Sequence, residues 1–211
     1  MCSSDLDTAR ITIHGRGGHA ARPHQTVDPI LIAGSLVMAL QSVVARNIDP
    51  RSTAIVTIGA LHAGSASNVI PDSATMALSI RSFDADVRDR LEQRIKALVT
   101  SHVEGYGGTV TIDYERGYPV VVNSEAETDF ARQVAEELVG PEKVIAPFPP
   151  VTGSEDFAYY LQKKPGCFLR LGNGEAGAML HNPHYDFNDE VLTVGAAYWT
   201  RLVERFLEVE A

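Results

Sequence analysis

The sequence predicts an α/β chain in two parts: a four-stranded antiparallel sheet with two helices on one face, then a mostly helical stretch resembling one end of a larger α/β layer. Three observations carry that expectation. Between Thr8 and Arg116, four segments are apolar and β-branched or alternate apolar with polar residues, as half-buried strands do. Two longer segments between them carry apolar residues at helical spacing. Beyond Gly117-Tyr118-Pro119 the alternation gives way to helices separated by long loops.

Taken in order, Ile11 and Ile13 alternate with Thr12 and His14 until Gly15, Gly17 and Gly18 break the strand. Asp28-Pro29 supplies an N-cap and a first-turn proline for a buried helix over Ile30 to Val44. Ala54 to Leu61, and Met76, Leu78 and Ile80, read as strands either side of the loop Gly64 to Asp72. A second helix runs from about Asp84 to Glu104, with Val87, Leu91, Ile95, Leu98 and His102 on one face and Gly105 at its end. Val110, Ile112 and Tyr114 close the unit. The order β-α-β-β-α-β over residues 8–116 is that of the ferredoxin-like arrangement. Its helix pair covers one sheet face, leaving the other solvated or packed on a partner, with edges open to pairing.

In the second part, Ser124 and Glu127 are expected to form a capping box for a helix carrying Phe130, Val134 and Leu138. Ser154 is expected to cap a short helix Glu155 to Gln162, Cys167 to Leu171 to form a short strand, and Thr193 to cap a terminal helix. The opening Met-Cys-Ser-Ser-Asp-Leu has no relation to the strand that follows and matches a translated sequencing-library adapter, so residues 1–7 are expected to be a non-native start. The domain expectation is then 8–117 and 118–211.

With 211 residues, 45% hydrophobic and 21% charged, the chain is an ordinary globular one, neither disordered nor fibrous. Eighteen Lys+Arg against 27 Asp+Glu, with no basic patch, argue against nucleic acid or an anionic membrane as partner. The apolar run Pro29 to Leu40 is too short to span a bilayer and no signal peptide opens the chain, so the cytoplasm is the expected location. Two cysteines, Cys2 and Cys167, make neither a disulfide scaffold nor a CxxC zinc module.

Four segments could carry chemistry. Gly17-Gly18-His19-Ala20 with Arg22-Pro23-His24 puts a histidine beside glycines at a strand end, where it could donate to a developing oxyanion; on spacing alone a plain turn is the commoner reading. Ser67-Asn68-Val69-Ile70-Pro71 offers an amide that either caps a turn or meets a carboxylate, and Arg81 is either a solvated charge or a carboxylate clamp. Gly153-Ser154-Glu155-Asp156-Phe157 reads as a helix N-terminus whose free N–H groups could hold a carboxylate. His181-Asn182-Pro183-His184 with Asp186 and Asp189 is metal-ligand material in too small a set to complete a site.

In this order and at these separations, the segments resemble the metal-dependent amidohydrolases that include hippurate hydrolase, N-acyl-amino-acid amidohydrolases and the auxin-conjugate hydrolases, within the aminoacylase and carboxypeptidase superfamily. The match rests on Gly17-Gly18-His19-Ala20-Ala21-Arg22-Pro23-His24 with Val27-Asp28-Pro29, on Ser67-Asn68-Val69-Ile70-Pro71-Asp72, on Gly153-Ser154-Glu155-Asp156-Phe157, and on His181-Asn182-Pro183 with Phe187-Asn188-Asp189. The resemblance implies a zinc-peptidase-like α/β catalytic domain, and a ferredoxin-like lid that pairs two subunits through its sheet. It implies His19 as the oxyanion-stabilising residue reaching the partner's active site, Asn68, Arg81 and Ser154 as substrate contacts, and His181 as a ligand to a divalent zinc, manganese or nickel ion. The substrate it implies is an N-acyl amino acid. The family's N-terminal catalytic half, with its Cys-Gly-His-Asp segment, Glu-Glu pair and further histidine, has no counterpart here. The chain is therefore expected to be the C-terminal portion of a longer enzyme, inactive alone. A non-catalytic dimerisation or small-ligand-binding module is the rival expectation.

Overall fold

The computed structural model describes residues 2–174 and 177–207. The chain divides into two compact units, residues 2–121 with 150–158, and residues 122–149 with 159–207.

The first unit holds β1 (Cys2–Ser3), β2 (Asp7–His14), β3 (Gly18–His19), α1 (Pro29–Asn47), β4 (Ala54–Ala63), β5 (Val69–Ile70), β6 (Ser73–Ser82), α2 (Ala85–Gly105) and β7 (Thr109–Arg116). The main sheet has the order β4-β6-β2-β7, antiparallel throughout, with Ile11 opposite Met76 on one side and Ile112 on the other. Alternation selects its buried face: Ala9, Ile11 and Ile13 of β2 and Ala74, Met76, Leu78 and Ile80 of β6 point into one core. Ile32, Leu36, Leu40 and Val43 of α1 and Leu91, Ile95, Val99 and Val103 of α2 close that core from above, each set at spacings of three or four.

Both helices start where the sequence places an aspartate. Asp28 Oδ1 accepts the N–H groups of Ile30 at 2.8 Å and Leu31 at 3.4 Å, and Asp84 Oδ1 accepts those of Asp86 at 2.8 Å and Val87 at 3.2 Å. The opposite sheet face is polar and solvent-facing, with Thr8, Arg10 and His14 on β2 and Thr109, Thr111, Asp113 and Glu115 on β7 all exposed.

The segment expected to be a foreign start is built into this unit from Ser3 onward. Ser4 Oγ donates to Thr152 O at 2.9 Å, and the Asp5 carboxylate accepts both the N–H and the hydroxyl of Ser82 at 2.5 Å. The buried Asp7 carboxylate, on the first residue of β2, receives the Arg88 guanidinium and, at 2.9 Å, the Tyr114 hydroxyl. Asp5 fits because it satisfies the N–H and hydroxyl of Ser82 at the end of β6, whereas Ser4 pairs with the Thr152 segment and Asp7 with groups of α2, β7 and Gly117. Residues 150–158 also join this unit, so the division differs from a single break at 117/118.

The second unit contains α3 (Glu125–Val139) and α5 (Val191–Leu207), while the one-turn α4 (Phe157–Leu161) begins in one unit and ends in the other. Phe130 meets Phe206 edge-on at 6.3 Å between ring centroids, and the Tyr198 hydroxyl donates to Ala131 O at 3.2 Å. Three local expectations fail here. Ser124 makes no capping bond; its Oγ accepts from Gly166 N at 3.1 Å instead. Residues 167–171 form no strand, because the Asn123 side chain takes the place of one, accepting from Phe168 N at 2.9 Å and donating to Phe168 O at 2.8 Å. Thr193 lies inside α5, whose start is held by Asn188, the acceptor from Glu190 N at 3.1 Å.

Candidate functional site

Beside the main sheet lies a small second ladder. Gly18 pairs with Ile70 and His19 with Val69, and Ala20 N donates to Asn68 O at 3.1 Å. That pairing joins the two motif segments that the sequence separates by some fifty residues. Glycines make it possible: a Cβ on Gly17 would stand 2.5 Å from Ile70 O, and one on Gly15 would stand 2.2 Å from Val27 O. Asp72 then fastens the ladder, its carbonyl accepting from Gly15 N and its Oδ1 from Gly17 N, both at 2.8 Å. On the other side, Arg16 and Val27 exchange backbone bonds at 2.9 and 3.0 Å, tying the loop to the start of α1.

His19 and Asn68 thus sit on adjacent, exposed backbone rungs. His19 opens a turn closed by Arg22 N donating to His19 O at 2.8 Å, and inside it Ala21 N donates to His19 Nδ1 at 3.1 Å. Among the described residues, neither His19 Nε2 nor the Asn68 side-chain amide has a protein partner. Donors left free on a fixed backbone suit a ligand oxygen that gains charge. Asp72 and the Ala21 amide carry no role in the sequence reading, since their part is to hold backbone. The position of Asp72, directly before β6, was the available signal.

Arg81 belongs elsewhere in the unit. It sits near the far end of β6, eight residues from Ser73, or about 26 Å at strand rise, and its Nη1 donates to Thr152 O at 2.7 Å. That bond joins Arg81 to the Thr152-Gly153-Ser154 segment. Ser154 does not cap α4, which begins three residues later at Phe157 and is a single turn. The five sequence-chosen residues therefore fall into His19 with Asn68, Arg81 with the segment of Ser154, and His181 in the second unit.

His181 is exposed and has φ of 67°, a left-handed conformation that costs a non-glycine residue about 1–2 kcal/mol. The turn that imposes it is held by Asn182 N donating to Met179 O at 3.1 Å and by Asn182 Oδ1 accepting from His184 N at 2.9 Å. Among the described residues, no three His, Cys, Asp or Glu side chains converge so as to hold a metal ion. By itself the described part of the chain does not fit a metal centre; His181 is at most one ligand of one.

The model of peptidase family M20/M25/M40 matches residues 8–205. Hippurate hydrolase of Campylobacter jejuni is 38% identical over 208 residues, covering 99% of this chain and 54% of that protein. N-acetyl-L-cysteine deacetylase of Bacillus subtilis is 36% identical over 194 residues, covering 92% of this chain and 45% of that protein. The crystal structure of Bacillus subtilis YxeP, described as a dinuclear metal-binding peptidase of family M20, superposes with a TM-score of 0.73 at 29% identity, covering 98% of this chain and 51% of that one. The chain spans about half the length of the relatives it matches. With the mixed α/β fold and four motif segments in family order, the chain belongs to peptidase family M20/M25/M40.

Proposed function

We propose that this chain is the ferredoxin-like lid and C-terminal part of a cytoplasmic, metal-dependent amidohydrolase that hydrolyses the amide bond of N-acyl amino acids. The observation that carries the reading is the β3–β5 ladder, which sets His19 and Asn68 side by side with free donors. When water attacks the scissile carbonyl, its oxygen gains negative charge, to which His19 Nε2–H can donate a hydrogen bond, while Asn68 holds the substrate's polar groups. Arg81, beside the Ser154 segment, is suited to a substrate carboxylate, which a guanidinium fork matches in two bonds. A divalent zinc, manganese or nickel ion belongs to this reading, with His181 as one ligand. The chemistry assigned to this chain's residues does not pass through it, and the proton of the attacking water goes to a base outside this chain.

One protomer cannot bring His19 and Arg81 onto one small substrate, because Arg81 lies about 26 Å along β6 from the strand start beside which the β3–β5 ladder sits. A two-fold partner can. The β4 edge, Ala-Ile-Val-Thr-Ile-Gly-Ala-Leu-His-Ala, carries no Lys, Glu, Asp or Pro, whereas the β7 edge carries Asp113, Glu115 and Arg116. Alongside β4, α1 exposes Leu31 and Met38. A homodimer joined along β4 and α1 follows, with micromolar sedimentation expected to show a dimer. A monomer alone would remove the partner from the reading.

For the reaction, His19→Ala in the intact parent should lower kcat by about 3 kcal/mol, roughly a hundredfold, with little change in KM, because the oxyanion exists only near the transition state. An unchanged kcat would remove His19 from the mechanism. The 211-residue chain alone should neither retain stoichiometric metal on dialysis nor turn over an N-acyl amino acid, and should do so only with an N-terminal half from a relative.

A further inference from the structure

We infer that the backbone N–H of Ala21 is a positioning group that fixes His19 as the neutral Nε2–H tautomer, so that His19 works as a hydrogen-bond donor to substrate oxygen and not as a proton-accepting base. In its consequence for substrate this rests on the oxyanion role proposed above; in its geometry it does not. A neutral imidazole has one donor nitrogen and one acceptor, and the bond made by one nitrogen decides which is which. Here Ala21 N donates to Nδ1 at 3.1 Å, so Nδ1 must keep its lone pair and the ring proton must reside on Nε2. The contact is local, but its frame is not. The His19 backbone is fixed by pairing with Val69, by Ala20 N to Asn68 O at 3.1 Å, and by Arg22 N to His19 O at 2.8 Å. Asp72 Oδ1 on Gly17 N at 2.8 Å fixes the strand leading in. The donating amide and the accepting ring therefore hang from one braced turn.

The same chain supplies its own reference. His24 is exposed and, among the described residues, its ring has no partner. In the uniformly 15N-labelled chain at about pH 8.5, well above the ordinary imidazole value, ring correlations should show His19 Nδ1 as an unprotonated acceptor and Nε2 as protonated. His24 should show the averaged pattern of two exchanging tautomers. Ala21→Pro removes the donor, and the His19 pattern should move to that of His24. Because proline can also disturb the turn, a second variant replaces only the Ala21 amide by an ester through the matching α-hydroxy acid. It should give the same shift while the amide signals of Ile11 and Met76 stay in place. A protonated Nδ1 in the parent chain, an averaged His19 pattern there, or an ester variant whose His19 pattern does not move would each overturn the inference. No activity is read: a fixed tautomer in an enzyme whose His19→Ala variant keeps its kcat would refute the proposed reaction while leaving the tautomer assignment intact.

Discussion

The two units solve the problem of burial very differently. The first encloses a continuous core in which Ile11, Ile13, Leu36, Leu40, Leu91 and Ile95 are wholly buried between sheet and helices. The second buries Val134 and Ala131 and most of Tyr198, while Trp199 remains 61% exposed and Phe206 63% exposed on a helix patterned for an apolar neighbour. Both have amphipathic helices, so pattern alone does not make a core. A helix needs a second layer to receive its stripe, and the first unit carries its own sheet. Among its described residues, the second has two long helices and no sheet of its own.

Substitutions sharpen this contrast, most strongly at the buried charges. Asp7 is held by Arg88, by the Tyr114 hydroxyl at 2.9 Å and by Gly117 N at 3.2 Å, so Asp7→Ala should cost about 3–5 kcal/mol by leaving the part-buried Arg88, among the described residues, only Asp5 at 3.9 Å and Gly117 O at 3.1 Å. Denaturant midpoints of the first unit, followed at Tyr114, check this. A loss under about 1 kcal/mol would mean the network contributes nothing net. Next comes the core. Leu36→Ala should cost about 2–5 kcal/mol, whereas Trp199→Ala in the second unit should stay within about 0.5 kcal/mol, as exposed positions do. Hydrogen exchange should follow the same order, with amides of β2 and β6 opening only on global unfolding and those of α5 opening locally. Equal protection in both would erase the comparison.

What the sequence disclosed follows the same division. In the first unit the period-two strands, the Asp28 cap, the helix start near Asp84 and the helical faces were readable because each local signal agrees with the tertiary answer. Not readable was the β3–β5 ladder, two residues on each side, too short for any period; only the glycines hinted that backbones approach there. In the second unit Ser124 and the stretch 167–171 misled because their polar atoms pair over long range, Ser124 Oγ with Gly166 N and the Phe168 backbone with the Asn123 side chain, while Thr193 lies inside α5 and its hydroxyl donates back to Glu190 O. Of the candidate site, the motifs singled out His19, Asn68, Ser154 and His181 without indicating that only the first two share a ladder. That Arg81 lies a full strand away from Asn68 was legible only from the register of β6.

That recruitment is itself testable. Asn123 spans the gap to Phe168 with two bonds of 2.8 and 2.9 Å, replacing the ladder a strand would give. Asn123→Ala should cost about 1–3 kcal/mol by removing both bonds to the part-buried Phe168 backbone, a large share of what a thin core can hold. Asn123→Asp keeps the acceptor for Phe168 N but loses the donor to Phe168 O, and should fall between. Local exchange at Phe168 and Gly166 reads the effect, and an Asn123→Ala variant with unchanged exchange there would show the segment to be held by something else.

The smallest expected effect is electrostatic and splits the first unit internally. Burial pushes the Glu92 carboxyl up, but hydrogen bonds from Lys96 at 2.5 Å and Arg116 at 2.7 Å outweigh it, so its pKa lies below the ordinary glutamate value. Its stabilising share is present above the unfolded value near 4.5 and is lost as pH falls through the lower folded value. Asp5 runs the opposite way. Burial outweighs the Ser82 bonds and the Arg88 charge, with neighbouring Asp7 adding to the rise, so its folded pKa is raised. Protonated Asp5 favours the fold below about 3.8, and that share is lost as pH rises through the raised value. Glu92→Gln should therefore flatten the acid loss of stability below about pH 4.5 by less than about 1 kcal/mol, as a surface cluster allows. Asp5→Asn, which keeps an acceptor for Ser82 N, should remove the opposing component and leave the acid loss steeper. Melting temperatures of both variants between about pH 3 and 7, spanning the carboxylate range, decide it: slopes that change in the same direction for the two substitutions would show that the signs assigned to these carboxylates are wrong.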